Sequence, residues 1–315
     1  MVAHTHEHSQ AASARPKNRR ALALVLVLTA SFTVIEVIGG LLTHSLALLA
    51  DAGHMLSDNL SLGIALFAVW LAGRPASPER SFGYQRAEIL AALANGVTLV
   101  AISIWIFIEA YARLWEPPEI LGGPMLAVAT LGLLINVLSA IILSRSADES
   151  LNTQGALRHV IADALGSVGA IIAAAIILLT GWRYADPLVS AAIGVLILGS
   201  SWKLLRDSTN ILLEATPRSI DAEEVGRSMA GTLGVEEVHD LHIWTITSGF
   251  PALSAHVLVG QGEDCHARRR DLEDLLLREY GIEHTTLQVD HVGEHEGEMH
   301  GSRFLPLGEK PRREH

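Results

Sequence analysis

The sequence predicts a membrane protein with six transmembrane helices followed by a small C-terminal α+β domain. Hydrophobic residues make up 50% of the 315 residues while aromatic residues make up only 5%, so the apolar excess is aliphatic. Packed transmembrane helices have this composition. Six apolar segments approach or exceed the length of about 20 residues that a helix needs to cross a bilayer. After residue 207 the apolar runs shorten and the sequence becomes charged, which marks a domain outside the membrane.

The transmembrane domain is predicted to occupy residues 20–207, with short connections between its helices. The six segments lie at about residues 20–42, 45–72, 87–114, 124–143, 151–180 and 187–205. The first is too long in its apolar core for a signal peptide, and no small-residue cleavage pattern follows it. Eleven Lys and Arg residues flank the segments on the side that holds both termini, whereas the other side has two, Arg113 and Arg183. The positive-inside rule therefore places both termini in the cytoplasm.

The C-terminal domain, residues 208–293, is predicted to have the element order αββαβ. Ser219 or Asp221 can cap a first helix, and "VEEVHDLHIWTIT" and "PALSAHVLV" alternate like half-buried strands joined by a turn at "SGF". "CHARRRDLEDLLLREYG" has helical spacing and ends at Gly281, and "TTLQVD" reads as a last strand. This order predicts an open sheet with helices on one face. Two tails remain: a His-containing N-terminal tail, residues 1–19, and a disordered tail, residues 294–315.

The composition also excludes several classes of protein. A single cysteine, Cys265, rules out an intramolecular disulfide and a Cys-rich zinc module. The net charge of −11 argues against nucleic acid as a partner. The sequence lacks the H-E-x-x-H motif of a zinc protease, so we do not expect an enzyme.

Two matched pairs of ionisable residues lie inside apolar segments. His54 and Asp58, in "DAGHMLSDNL", are four residues apart and therefore share one face of the second helix. The fifth segment repeats this spacing with His159 and Asp163, in "RHVIADALG". Charge inside a bilayer is costly unless it is paired or bound, and two imidazoles with two carboxylates make a four-coordinate site suited to Zn²⁺. Asp51, one turn earlier, is predicted either to line an access or proton path or to stand at a helix end.

These residues lie in segments that resemble the cation diffusion facilitators, a family of zinc-exporting membrane proteins. The resemblance extends over nearly the whole chain. It is carried by "SLALLADAGHMLSDNLSLGIALFA", "RSFGYQRAEILAALANG", "LRHVIADALGSVGAI", "ADPLVSAAIGVLIL" and "VHDLHIWTITSG". It implies six transmembrane helices, a cytoplasmic metallochaperone-like domain, a homodimer and exchange of Zn²⁺ for protons. Proteins of the family with a mixed His and Asp site prefer zinc, so Cd²⁺, Co²⁺ and Ni²⁺ are expected as weaker substrates.

The resemblance also implies site residues by position. The transport site comprises His54, Asp58, His159 and Asp163. A second zinc site, in the cytoplasmic domain near a dimer interface, comprises His239, His256, His266 and Asp290. Zinc bound there is expected either to regulate transport or only to stabilise the domain. We expect a bacterial plasma (inner) membrane protein in contact with lipid, with divalent cations and protons as its transported ions.

Two other functions fit the paired ligands. A channel and a non-transporting membrane zinc sensor could each use the same His and Asp residues. Saturable uptake that requires a proton gradient separates a carrier from a channel, and absence of flux indicates a sensor. The six segments and their short connections favour a carrier.

Overall fold

The computed structural model describes residues 7–72, 74, 76–145, 151–293 and 304–305. Six long helices come first in this part of the chain: α1 (Glu7–Thr43), α2 (Leu46–Ala72), α3 (Ala87–Trp115), α4 (Gly122–Ser144), α5 (Leu151–Thr180) and α6 (Ala185–Leu212). The remaining elements are α7 (Ala222–Ala230), β1 (Val235–Thr247), β2 (Phe250–Val259), α8 (Cys265–Tyr280) and β3 (His284–His291). Helix α1 thus begins within the segment predicted as an N-terminal tail. Residues 1–6 of that tail, and most of the predicted C-terminal tail, lie outside the described residues.

Five of the described helices are long and apolar enough to cross a membrane. They are Leu22–Thr43 within α1, α3, α4, Ala156–Thr180 within α5, and α6. The prediction of transmembrane helices is confirmed for these five by length and composition. Helix α2 is 27 residues long, and its place as a sixth span stays a prediction.

The chain divides into two compact units, the first of which comprises residues through Leu66 together with Ala94–Leu205. Here α4 packs along both α1 and α5. Small side chains form much of the buried core, including Ala47 and Ala50 of α2 and Ala170, Ala173 and Ala174 of α5. Large apolar side chains instead cover the outside: Val27, Leu134, Leu179 and Leu196 are all more than 60% exposed. An apolar exterior around a tightly packed interior suits a lipid environment.

The second unit comprises Phe67–Leu93 and the chain from Arg206 onward. Its three strands form one sheet in the order β1-β2-β3, with β1 antiparallel and β3 parallel to β2. One hydrophobic core joins this sheet to both short helices, for example Met229 of α7, Leu253 of β2 and Leu276 of α8. The predicted order αββαβ is confirmed.

Local signals account for the ends of the short elements. The Asp221 side chain accepts hydrogen bonds from the backbone N–H groups of Glu223 and Glu224, so Asp221 rather than Ser219 caps α7. Gly281 ends α8 with a φ of 66°, the left-handed conformation that glycine adopts without strain. Gly249, with a φ of 74°, forms the turn between β1 and β2.

A short piece of the C-terminal tail is ordered against the sheet. Phe304 pairs with Val238 of β1, since each backbone N–H donates to the other residue's carbonyl, at 2.8 and 2.9 Å. The Phe304 ring packs over Gly226 of α7, where an added Cβ would lie 2.5 Å from the ring. Phe304 therefore covers part of the free edge of β1. It belongs to the C-terminal segment that the sequence predicted to be disordered.

Candidate metal site

The two His–Asp pairs of α2 and α5 meet in the interior of the first unit. His159 Nε2 lies 3.1 Å from Asp58 Oδ2, and His54 Nε2 lies 3.8 Å from Asp163 Oδ1, so each imidazole approaches the carboxylate of the other helix. Within the helices, His54 Nε2 is 3.4 Å from Asp58 Oδ2 and His159 Nε2 is 3.5 Å from Asp163 Oδ2. The imidazole rings are 5.8 Å apart between their centroids. Contacts of this length bring all four side chains around one small volume.

Three of the four residues already have the spacing of a metal site. One ligand atom each from His54, His159 and Asp163 can be chosen so that all lie within 4.8 Å of one another. Asp58 is not part of this tightest group, although its Oδ2 atom contacts both imidazoles. Asp58 thus adds a second carboxylate beside the two imidazoles, so two nitrogen and two oxygen atoms that could bind a metal lie close together.

The burial of these groups differs, and some of their polar atoms lack partners. Asp163 is 4% exposed, whereas the side chain of His159 is 43% exposed. Among the described residues, the buried atoms His54 Nδ1 and Asp163 Oδ1 have no hydrogen-bond partner. Buried polar atoms are normally satisfied, and a carboxylate inside a helix bundle is otherwise costly. An unsatisfied carboxylate beside two imidazoles is well suited to hold a divalent cation.

A cavity of about 450 Å³ gives access to the cluster. Side chains from α2, α3, α5 and α6 line it, including the four residues of the cluster together with Asn95, Leu99, Ile193 and Ser200. Most of the lining is apolar, so the charged groups are concentrated at the cluster. A cavity that reaches the ligands provides the room that a hydrated ion needs to approach them.

A glycine allows α5 to approach α2 beside the site. A Cβ placed on Gly166 would lie 2.7 Å from Asp51 Oδ1, closer than real contacts allow. Asp51 is 2% exposed and also lines the cavity. This position fits the prediction that Asp51 lines a path to the site. About two turns further along α2, Ser57 Oγ donates to Asn95 Oδ1 of α3 at 2.7 Å.

In the second unit, the structure brings together two of the four residues predicted to form a cytoplasmic zinc site. His239 of β1 and His256 of β2 are direct partners across the strands, with ring centroids 5.5 Å apart. His239 is 2% exposed, and its Nδ1 atom lies 3.4 Å from Glu237 Oε1. His242, in contrast, is exposed and lies beside Asp240. The prediction that His239 and His242 do not share one metal agrees with this difference.

The other two predicted ligands of that site belong to β3 and α8 of the same domain. Asp290 pairs in register with Leu258, two residues beyond His256 along β2, and accepts a hydrogen bond from Gln288. His266 lies in the first turn of α8, where its backbone N–H donates to the Asp264 cap. Across the described residues of one chain, only the cluster between α2 and α5 brings three such ligands together. The four-ligand cytoplasmic site near a dimer interface stays a prediction.

Sequence reasoning missed one buried charged residue of the first unit. Asp186, in the first turn of α6, is 0% exposed, and its carboxylate accepts hydrogen bonds from the start of α2. The available signal was an acidic residue at the beginning of an apolar helix, a position that helix N-termini favour. That signal alone does not say which helix the carboxylate caps.

The helices and the cluster define a class: an integral membrane protein with a cluster of potential metal ligands between two of its long helices, α2 and α5, and with a separate α/β domain. Residues 22–213 match the family model described as the cation efflux transmembrane domain, and residues 217–292 match that of the cation efflux protein cytoplasmic domain. The chain therefore belongs to the cation efflux family, the cation diffusion facilitators that its motifs resemble.

Relatives are similar over nearly their full length. The chain is 44% identical over 298 residues to the cadmium, cobalt and zinc/H(+)-K(+) antiporter of Bacillus subtilis, covering 91% of this chain and 93% of the relative. It is 44% identical to the metal cation efflux system protein CzcD of Cupriavidus metallidurans, covering 84% of each chain. It is 42% identical to the zinc transporter ZitB of Escherichia coli, covering 95% of this chain and 96% of the relative.

Proposed function

We propose that the protein is a secondary active transporter that exports Zn²⁺ from the cytoplasm in exchange for protons. The observation that carries the proposal is the meeting of His54 and Asp58 of α2 with His159 and Asp163 of α5 around one volume. The names of the relatives support it, since they include zinc transport and exchange with H⁺. Cd²⁺, Co²⁺ and Ni²⁺ are weaker candidate substrates.

The ligand set accounts for the choice of ion. Zn²⁺ favours four ligands in a tetrahedral arrangement, and two imidazole nitrogens with two carboxylate oxygens supply them. Mg²⁺ and Ca²⁺ require six or more oxygen ligands, which this cluster does not offer. A divalent cation also cancels the charge of both carboxylates, so the loaded site carries no net charge across the bilayer. All four groups act as ligands, so the proposal assigns the protein no enzymatic reaction.

Protons compete with zinc for the same atoms. Zinc binding requires neutral imidazoles and ionised carboxylates, so protonation of the site releases the metal. On the cytoplasmic side the site loses protons and takes Zn²⁺. After the helices rearrange, external protons displace the metal and the protonated site returns. This cycle requires that the site open to one side at a time, with α2 as a sixth membrane span.

The surroundings of the transporter are part of the proposal. The Lys and Arg distribution supports cytoplasmic termini in a bacterial plasma membrane, with the apolar exterior in contact with lipid. The match to the family's cytoplasmic domain supports a homodimer. Zinc at a site that includes His239 and His256 would favour the transport-competent dimer if it binds that state more tightly.

The test is ion flux in proteoliposomes with an imposed pH gradient. The full-length protein should drive saturable Zn²⁺ uptake coupled to proton movement in the opposite direction. Asp58→Ala and Asp163→Ala should each abolish both fluxes while the dimer still assembles. Asp207→Asn is a matched control, because Asp207 is 40% exposed and forms an ion pair with Arg218 rather than with the residues of the cluster.

Three results would contradict the proposal. Normal transport by both ligand variants would show that the site is assigned wrongly. Uptake that does not saturate and ignores the pH gradient would indicate a channel. Zinc binding without any flux would indicate a membrane zinc sensor.

A further inference from the structure

Asp186 forms a buried contact between α6 and the beginning of α2. Its Oδ1 atom accepts hydrogen bonds from Ser45 Oγ at 2.6 Å and from the backbone N–H of Ala47 at 3.1 Å. Its Oδ2 atom accepts one from the backbone N–H of Leu46 at 2.8 Å. A side chain of one helix thus binds the first two amides of another helix. We call this contact the Asp186 joint, formed by Ser45, Leu46, Ala47, Arg113 and Asp186.

The joint provides hydrogen-bond acceptors for the backbone N–H groups at the N-terminus of α2. The first amides of a helix have no carbonyl partner within the helix. Asp186 binds those of Leu46 and Ala47, and Ser45 Oγ accepts the next one, from Leu48, at 3.2 Å. Because Asp186 itself lies in the first turn of α6, its carboxylate stands at the positive ends of two helix dipoles. This arrangement explains how a fully buried carboxylate is tolerated.

Arg113 supplies the opposite charge from the last turn of α3. Its Nη1 atom lies 3.5 Å from Asp186 Oδ2 and donates to the backbone carbonyl of His44 at 2.6 Å. Its Nε group donates to Glu109 Oε1 at 2.9 Å, which holds the guanidinium in place. His44 forms the turn between α1 and α2 with a φ of 56°, a conformation that needs support from its surroundings. The ends of four helices therefore meet at one ion pair.

We propose that Asp186 is a positioning residue for the metal site, which acts by holding the N-terminus of α2 against α6. The inference rests on the transport site proposed above. His54 lies eight residues beyond Leu46 on the same uninterrupted helix. A slip of one residue would move His54 by about 1.5 Å along the helix axis and rotate it by about 100°. Such a rotation would turn His54 and Asp58 away from α5, so the joint determines whether the two ligand pairs face each other.

Asp186 is a poor candidate for a metal ligand itself. Four donors already surround its two carboxylate oxygens: the Ser45 hydroxyl, the amides of Leu46 and Ala47, and the Arg113 guanidinium. A ligand role would require these bonds to break. The positioning role uses them as they stand.

The experiment compares zinc binding and transport for joint variants of the purified full-length protein. Asp186→Asn keeps the shape of the side chain but removes its charge and one acceptor oxygen. The zinc dissociation constant, measured by competition with a fluorescent chelator, should rise about tenfold, as expected when hydrogen bonds to a charged group are lost. The apparent KM for zinc in proteoliposomes should rise in parallel, while Vmax at saturating zinc changes less. A protein that is only partly folded would instead lose Vmax at an unchanged KM, and that result would overturn the inference.

Ser45 provides a second, milder pair of variants. Ser45→Ala removes one donor to Asp186 and the acceptor of the Leu48 amide, so zinc binding should weaken by a smaller factor. Ser45→Thr keeps the hydroxyl and should restore wild-type affinity. When Ser45→Ala is combined with Asp186→Asn, the zinc affinity should fall little further than in Asp186→Asn alone, because both changes act on one joint. Ser190→Ala is the control: this buried hydroxyl donates to the backbone carbonyl of Asp186 within α6, and its loss should leave zinc affinity unchanged.

The outcomes separate the inference from the proposed function. If the wild-type protein binds no zinc, the transport site itself fails. If the wild-type protein binds zinc and both Asp186→Asn and Ser45→Ala bind it equally well, only the positioning role fails. Fully additive effects of the two substitutions would also overturn it. If Asp186→Asn does not yield folded protein, the Ser45 variants test the inference instead. Equal zinc affinity of Ser45→Ala and Ser45→Thr would then overturn it.

Discussion

His159 of α5 lies closer to Asp58 of α2, at 3.1 Å, than to Asp163 on its own helix, at 3.5 Å. The two pairs predicted from the sequence are therefore not two independent units. They interlock across the helices, so a change in any one of the four side chains alters the surroundings of the others on both helices.

This interlocking predicts that Asp58 matters as much as Asp163 for zinc binding, although Asp58 lies outside the tightest group of three ligands. Asp58→Asn and Asp163→Asn should each weaken zinc binding by at least about 100-fold, since loss of even an outer-shell partner of a metal ligand costs roughly 10–100-fold. Chelator competition on the full-length protein measures the effect. Near wild-type affinity for Asp58→Asn would leave His54, His159 and Asp163 as the whole site.

Replacing one imidazole should change which metals are accepted. His54→Asp exchanges a nitrogen ligand for oxygen and adds a negative charge, which makes the set less specific for Zn²⁺. We expect relative transport of Cd²⁺ to increase severalfold while Zn²⁺ transport continues at a lower affinity. Competition between the two metals in proteoliposomes measures the preference. An unchanged preference would show that His54 does not select the metal.

The close approach of α5 to Asp51 predicts a packing effect at Gly166. Gly166→Ala places a methyl group 2.7 Å from Asp51 Oδ1, so either the carboxylate or the helix must move. Overpacking of this kind costs about 1–3 kcal/mol of stability, and zinc affinity should fall with it. Thermal unfolding of the detergent-solubilised protein and zinc binding report the two effects.

A matched control is available on α6. Gly199 is also helical, but an added Cβ there would meet nothing within 4 Å. Gly199→Ala should leave the zinc affinity unchanged. It should leave the thermal stability unchanged or raise it slightly, because alanine favours helices by about 1 kcal/mol over glycine. Equal behaviour of the two alanine variants would argue against a close α2–α5 contact.

The ordered part of the C-terminal tail predicts a role in the stability of the second unit. Phe304→Ala removes a half-buried ring that packs over Gly226 and should destabilise this domain by about 2 kcal/mol, less than the loss of a fully buried ring. The backbone amide of Val238, which donates to Phe304, should then exchange faster with deuterium in the full-length protein. Phe304→Leu keeps an apolar side chain, so the Val238 amide should exchange more slowly in this variant than in Phe304→Ala. Unchanged exchange at Val238 in both variants would show that the contact is not formed in solution.

Much of the site could be predicted because its signals are local. The spacing of His54 to Asp58 and of His159 to Asp163 determines a shared face on each helix, and their apolar surroundings make a structural role for the charges improbable. The caps at Asp221 and Gly281 were predictable for the same reason, since each acts on its own helix. The pairing of His239 with His256 was not, because it depends on the register between β1 and β2.

The sequence by itself determined the order of the elements in the second unit, and it predicted the matched His and Asp pairs and the apolar segments, five of which the structure confirms as long enough to cross a membrane. Hydrophobic periodicity and residue spacing act over one or two turns of chain, so they can be read without knowing what lies nearby. Only the tertiary structure decided that Asp58 contacts His159, that Gly166 makes room for Asp51 and that Asp186 caps a helix 140 residues earlier in the chain. Those contacts join distant parts of the sequence, and their energies depend on distances and burial that exist only after the helices pack.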